Sequence, residues 1–333
     1  MKVLITGSTG YLGFHVAERL ATAGHTVLAL ARPGREGGVP PGCHPVTGDV
    51  LDPPSVERAL AGCDACVHMA ALVKMWARDA RQFARVNVEG LAAVLRAARR
   101  QGVSRILYTS TIAALGPTGP EARDETCART EFNFRTEYER SKWAAERLAV
   151  ERAAAGLPIV IVYPGVVYGP GAATQGNLLE KVFADYAAGR TRTRLGRRST
   201  RICYAYAPDV AGGHLLALEK GTPGKGYILG GENATQDELF SLLHELTGFP
   251  PPRTAVPFWA AEAAGRAQRF RARLTGRAPA FTDGAIATFR YHWAYTSDRA
   301  VRELGYRVTP LREGLRATLA ALRRPAGGRA GAA

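Results

Sequence analysis

The run Thr6-Gly-Ser-Thr-Gly-Tyr-Leu-Gly, set between an apolar stretch over 2–6 and a helix-like stretch over 11–24, limits the fold of this chain more than any other segment. Its glycines at 7, 10 and 13 meet three separate needs: a tight turn, a side-chain-free approach for a pyrophosphate, and a close crossing of helix over strand. The helix N-terminus then faces the negative charge. A glycine pattern alone says little, but between the first strand and first helix of a βα array it becomes specific. Further β-branched runs at 26–31, 44–48, 65–68, 104–110 and 158–163 alternate with amphipathic stretches at 53–61, 79–101 and 138–155. That rhythm predicts βα units and a parallel sheet. Runs such as Arg105-Ile-Leu-Tyr and Pro158-Ile-Val-Ile-Val-Tyr are apolar on both faces, as a sheet covered by helices on each side requires.

The expected class is therefore α/β: a Rossmann doubly wound parallel sheet over residues 1–165, followed by a smaller, mostly helical substrate-binding region over 166–322. A chain of 333 residues has length for one large unit carrying a smaller one. After Pro164 glycine and proline recur more often, and helices are expected near 174–188, 208–219, 235–247, 257–274 and 311–322. A strand and a helix from this second half are expected to return to the sheet. Residues 323–333, rich in Gly, Ala and Arg, have nothing to bury and read as a disordered tail.

Composition narrows the function classes. The longest apolar run, Leu157 to Tyr168, is broken by Pro164 and Gly165, so no segment inserts stably in a bilayer. Thr6, Gly7 and Gly10 interrupt the first apolar residues too early for a signal peptide, which predicts a cytoplasmic protein. Cys43, Cys63, Cys66, Cys127 and Cys203 have no framework spacing, and Cys63 with Cys66 lacks the second pair or the histidines that a zinc site needs. Free thiols and no metal are expected. The formal net charge of +15 comes from six lysines and 38 arginines. No aromatic and basic module accompanies that charge, so nucleic acid is not the expected partner. Arginines at 266, 269, 271 and 273 interleave with apolar residues between Phe258 and Leu274, which leaves association with an anionic membrane surface open.

Two positions carry specific chemistry. Where an NAD enzyme offers a carboxylate to the adenosine ribose, Ala31-Arg32-Pro33-Gly34-Arg35 offers guanidinium groups, and Arg32 would pair with a 2′-phosphate. NADP(H) is the preferred cofactor on this reading, with NAD(H) still admissible. Tyr138 and Lys142 stand at i and i+4 on one helix and share a face. Lowering a phenol of ordinary pKa by two or three units takes roughly 3 to 4 kcal/mol, and a neighbouring ammonium is one source of that help.

From residue 1 to about 322 the chain resembles the extended short-chain dehydrogenase/reductase family, in the branch of dihydroflavonol reductases, 3β-hydroxysteroid dehydrogenases and hopanoid-associated sugar epimerases. The marks are the glycine loop, Gly48-Asp-Val, His68-Met-Ala-Ala, Asn87-Val-Glu-Gly, Tyr108-Thr-Ser-Thr, Tyr138-Glu-Arg-Ser-Lys and Tyr163-Pro-Gly-Val-Val-Tyr-Gly-Pro. The resemblance implies cofactor contacts from Gly7, Thr9, Gly10, Tyr11, Leu12 and Gly13, with Asp49 and Val50 against the adenine. Ala70 and Ala71 would line the cofactor bed, and Pro164 would pack near the nicotinamide carboxamide. Thr111 would hold the substrate oxygen, Tyr138 would be the acid/base, and Lys142 would hold the nicotinamide ribose and depress the Tyr138 pKa. Asn87 would organise the backbone under the site, while His68 is expected to be a packed histidine.

Nucleotide-sugar members carry an arginine for the diphosphate at a fixed interval before an Asp. Counted back from Asp209 that slot holds Ile202, with Arg201 one residue off and hence on the other face of a strand. The expected activity is reduction of a carbonyl, or oxidation of the alcohol, on a small and largely apolar molecule, with Trp76, Phe132, Phe134 and Tyr168 near the substrate side. A nucleotide-sugar epimerase or dehydratase is the alternative, and a homodimer is the family's habit. A non-catalytic dinucleotide sensor is disfavoured by the intact Thr111, Tyr138 and Lys142.

Overall fold

The computed structural model describes residues 1–127, 129–171, 177–196 and 199–323. Its first half alternates β1 (Lys2–Thr6), α1 (Tyr11–Thr22), β2 (Thr26–Ala31), β3 (Cys43–Thr47), α2 (Pro53–Leu60) and β4 (Ala65–His68). Then follow α3 (Arg81–Ala84), α4 (Gly90–Arg100), β5 (Arg105–Thr109), α5 (Ile112–Leu115), α6 (Glu137–Ala154) and β6 (Ile159–Pro164). The second half holds β7 (Val166–Tyr168), α7 (Leu178–Ala187), β8 (Thr193–Leu195), β9 (Arg201–Tyr206), α8 (Ala207–Lys220) and β10 (Gly226–Leu229). It ends with β11 (Asn233–Thr235), α9 (Gln236–Thr247), β12 (Thr254–Val256), α10 (Phe258–Thr275), α11 (Asp283–Thr288), α12 (Asp298–Leu304) and α13 (Leu311–Arg323). The tail expected over 323–333 lies, beyond Arg323, outside the described residues.

Seven strands form one parallel sheet in the order β10-β6-β5-β4-β1-β2-β3. The strand order reverses between β1 and β4, which is where an open α/β sheet leaves its ligand crevice. Alternation along each strand feeds two cores. Leu4 of β1 joins Val56, Leu60, Leu91 and Leu95 under α2 and α4. Val3 and Ile5 point the other way, into a core with Val16 and Leu20 of α1 and Val210 and Leu218 of α8. Both faces of the central strands β1, β4, β5 and β6 are dry, so their apolar runs without polar alternation are explained.

β10 pairs with β6, and α8 packs on α1, so two second-half elements complete the sheet layer. A third core lies outside it, built from Tyr168, Phe183, Tyr186, Tyr204, Leu243 and Leu315 with their neighbours. Tyr168 is thus a core residue, which corrects its expected place near the substrate. The second half also carries β7, β9 and β11 in a separate sheet and β8 with β12 in a pair. Of these, the three-residue strands β7, β8, β11 and β12 were not legible because their partners are distant in sequence.

The continuous helix expected over 79–101 is interrupted. Between α3 and α4 the segment Arg85–Glu89 widens to a π turn. The wider turn swings Asn87 under the site, where its side chain takes three hydrogen bonds described below. At the end of β5 the Thr109 hydroxyl donates to His214 Nε2 at 3.1 Å and His214 Nδ1–H donates to Val210 O at 2.7 Å. Both ring nitrogens are then committed to a neutral imidazole, and burial pulls the His214 pKa down to about 4.

Because the unfolded histidine titrates near 6.5, the unfolded chain binds more protons between pH 4 and 6.5, so this group removes stability as pH falls through that window. His214→Gln is expected to flatten the acid side of the stability curve by up to about 1.4 kcal/mol per pH unit. Chemical unfolding at a series of pH values checks this; an unchanged slope in the variant would place the acid sensitivity elsewhere.

Candidate active site

The first loop is built from backbone crowding. Gly7 has φ +81°, and a Cβ there would stand 2.7 Å from Ala70 N. At Gly13 a Cβ would meet Gly7 O at 2.0 Å. Neither position accepts any side chain, so the β1 loop, the β4 loop and α1 are held in direct backbone contact. Gly10 caps α1 without a side-chain hydrogen bond, and Thr9 and Gly10 are exposed while Tyr11 is buried and Leu12 half-buried. The Ser8 hydroxyl is buried with no hydrogen-bond partner. An uncapped helix start, an open glycine and an orphaned hydroxyl together fit a diphosphate.

Thr6 fastens this loop to the next one. Its hydroxyl accepts the Met69 and Ala70 N–H groups at 3.2 and 3.1 Å and lies 2.9 Å from His68 Nδ1. With two N–H groups already on the oxygen, its one hydrogen goes to Nδ1, leaving His68 with its proton on Nε2. Burial, aided by the Lys142 charge, pulls the His68 pKa down to about 3. His68 is a packed neutral histidine, as expected. It shapes the bend from which half-buried Ala70 and Ala71 emerge.

Asn87 supports that bend from below. Its Oδ1 accepts Leu72 N–H at 2.7 Å, and its Nδ2 donates to Leu72 O at 3.4 Å and to Ser141 Oγ at 2.8 Å. Ser141 Oγ in turn donates to Tyr138 O at 2.9 Å. One buried side chain therefore ties the loop after β4 to the first turn of α6.

Thr111, Tyr138 and Lys142 converge at the carboxyl ends of the strands. Thr111 caps α5 in extended conformation, and its hydroxyl accepts Ala113 N–H at 3.2 Å. The same hydroxyl stands close enough to the Tyr138 phenol to draw its pKa down. Lys142 Nζ is buried, donating to Thr109 O at 2.8 Å and to Tyr108 OH at 3.2 Å. Two of its three N–H groups are thereby committed, and one remains for a ligand hydroxyl.

The electrostatics differ from the expectation. Burial pushes the Tyr138 phenol up to about 12, and the nearby Thr111 hydroxyl pulls against it. Burial also draws the Lys142 ammonium down to about 7. The net shift of the phenol is upward because desolvation outweighs the lowering by Thr111.

Other expected cofactor positions lie around this centre. Arg32 is exposed at the end of β2, in a turn closed by Arg35 N–H on Arg32 O at 2.9 Å. Asp49 is half-buried, accepting Leu51 N–H at 2.9 Å, and Val50 is buried against the Gly90 backbone. Pro164 is buried at the end of β6. Trp76 is half-buried; Phe132 and Phe134 pack on Trp143 instead of lining a common wall. Ile202 is buried in the third core and Arg201 is exposed, so the offset counted from Asp209 persists in β9. Cys63 and Cys66 are buried free thiols, and no group of metal-ligating residues occurs among the described residues. None of the described helices is long and apolar enough to cross a membrane.

Sequence reasoning missed a buried ion network beside Tyr138. Glu139 accepts from Arg129 Nη2, from Arg135 Nη1 at 3.3 Å and from Arg135 N–H at 2.9 Å. Arg129 also donates to Ala113 O at 3.0 Å, and its guanidinium lies over Phe134. The network thus bridges α5, which Thr111 caps, to the residue next to Tyr138 on α6. All three side chains are buried, yet nothing in their local pattern distinguishes them from surface charges.

Comparison with known proteins agrees with this geometry. Residues 3–230 match the NAD dependent epimerase/dehydratase family. The chain is 30% identical over 330 residues to a 2-alkyl-3-oxoalkanoate reductase of Stenotrophomonas maltophilia, covering 95% of this chain and 98% of the relative. It is 32% identical to a 4-hydroxy-2-methyl-3-oxo-4-farnesyl-3,4-dihydroquinoline-1-oxide ketoreductase of Stigmatella aurantiaca, covering 92% of each. Among solved structures it resembles a Thermus thermophilus UDP-glucose 4-epimerase in complex with NAD, with TM-score 0.75, 26% identity and coverage of 97% and 99%.

Removing the buried carboxylate should uncouple the two helices. Glu139→Gln is expected to cost about 3 kcal/mol or more, since it leaves the buried Arg129 guanidinium without its counter-charge, while Arg135 keeps Glu131 at 2.8 Å. Denaturant unfolding measures it, and a variant as stable as the parent would show that the network does not hold α6.

Proposed function

Because the chain belongs to the NAD dependent epimerase/dehydratase family, whose members are enzymes that use a nicotinamide dinucleotide, we propose that it reduces a carbonyl on a small, largely apolar molecule with NADP(H). The observation that carries this reading is the buried Lys142 Nζ on Thr109 O, one helical turn from Tyr138 on α6 and two residues before Thr111. A bound nicotinamide supplies the hydride. Thr111, oriented by Ala113 N–H, holds the carbonyl oxygen next to the phenol. Tyr138 gives its proton to that oxygen as negative charge develops there. A phenol held near pKa 12 is protonated at neutral pH, which is the state that reduction consumes. Lys142 holds the ribose and supplies positive charge on the far side of the phenol.

Several observations favour an apolar substrate and NADP(H). Two full-length relatives bear the names of reductases acting on alkyl and farnesyl ketones. Ile202 fills the slot where sugar-nucleotide members place a guanidinium. Arg32 and Arg35 stand exposed where a 2′-phosphate would fall. The likeness to a UDP-glucose 4-epimerase favours the second reading, an epimerase in which the hydride leaves and returns within one turnover.

Stoichiometry separates the two. With long-chain 3-oxo compounds the reductase consumes one NADPH per alcohol formed, whereas product formation from nucleotide sugars without net NADPH change would establish the epimerase. Tyr138→Phe is expected to lower kcat by about 10²- to 10⁴-fold with NADPH affinity kept. Unchanged turnover would remove Tyr138 from the chemistry. Arg32→Ala is expected to raise KM for NADPH about tenfold or more and to leave NADH unaffected, the loss of one charge-assisted hydrogen bond.

A further inference from the structure

The helix α10 carries an apolar face that the fold leaves uncovered. Trp259, Phe270 and Leu274 are 72%, 65% and 73% exposed. Side chains eleven and fifteen residues apart project within about 60° of one another at 3.6 residues per turn, so the three share one stripe, filled in by exposed Ala263 and Ala267. Buried Ala261, Gly265 and Ala272 mark the opposite side, where a Cβ on Gly265 would stand 2.5 Å from Asp283 N of α11.

Charge is sorted around the stripe. Exposed Arg266 and Arg273 lie along one flank and exposed Arg271 along the other. The only carboxylate of the helix, Glu262, is held by Arg290 at 2.7 Å, and Asp283 is held by Arg269 at 3.0 Å, both on the body side. The outward face therefore presents aromatic and aliphatic groups framed by guanidinium groups, with no acid of the helix among them. Long arginine stems can lie along the apolar surface while their heads reach a polar boundary.

The geometry points to docking of this face on an anionic membrane surface, with Trp259, Phe270 and Leu274 entering the headgroup boundary and Arg266, Arg271 and Arg273 meeting lipid phosphates. An apolar stripe of this size framed by cations suits a flat anionic interface. A nucleic acid would use the cations but leave the stripe in water, and a second copy of this chain would bring arginines against arginines. Beneath that face, Gly276, ending α10, lies beside the Arg78 guanidinium of the loop after β4, and Gly284 of α11 rests on Arg135 O, three residues before Tyr138. The inference goes beyond the reductase reading and does not rest on it.

The test is co-sedimentation of the full chain with vesicles of equal parts phosphatidylcholine and phosphatidylglycerol, and with phosphatidylcholine alone. Binding is expected to the anionic vesicles and not the neutral ones, and to weaken with salt. Arg273→Gln should lower the partition coefficient about fivefold. The double variant Phe270→Ser with Leu274→Ser should lower it at least about tenfold, with an unchanged thermal melting curve because both side chains are exposed. A chain that stays in the supernatant with anionic vesicles overturns the proposal. So does a double variant that sediments like the parent, since binding would then be charge alone, as a polyanion would give. A dimer in sedimentation velocity that the double variant dissolves also overturns it, by assigning the face to self-association.

Discussion

The contact of Gly7 with the Ala70 backbone, and of Gly13 with Gly7 O, is the constraint on which the site is built. Parallel strands β1 and β4 are neighbours whose helices leave in opposite directions, so their two loops splay and open a crevice. Left-handed backbone at Gly7 turns the first loop back over that crevice. Thr6 then clamps the second loop to it with two accepted N–H groups and one donated hydrogen. Every later element is positioned against this pair: Asn87 supports the second loop, Ser141 links it to α6, and α6 carries Tyr138.

Burial sets the chemistry more than pairwise charge does. The phenol rises to about 12 and the ammonium falls to about 7, each driven toward its neutral form by the same removal of water. The separation keeps the Tyr138 phenol protonated near neutrality. Thr111 works against the shift, and the Arg129–Glu139–Arg135 network joins α5, which Thr111 caps, to α6. A buried network of this kind is weak as a source of stability and strong as a source of register, because its parts satisfy one another in only one arrangement.

Outside the sheet, the second half holds its own core around Tyr168, Phe183 and Leu315. That core fixes β9, and with it the inward Ile202 and outward Arg201. It leaves α10 and α11 as an outer layer, which is why Trp259, Phe270 and Leu274 have no protein to cover them.

The sequence by itself determined the sheet, its two-sided burial, the glycine loop and the shared face of Tyr138 and Lys142, because each depends on period, composition or spacing within a few residues. Helices at 207–220, 236–247, 258–275 and 311–323 were legible for the same reason. Only the tertiary structure decided that Tyr168 is core, that Asn87 sits in a π turn, that β7, β8, β11 and β12 exist, which second-half strand joins the sheet, and that Glu139 is enclosed by two arginines. It also decided the direction of the Tyr138 shift. These depend on what comes together from distant parts of the chain and on how much water is left there, and no local pattern records either.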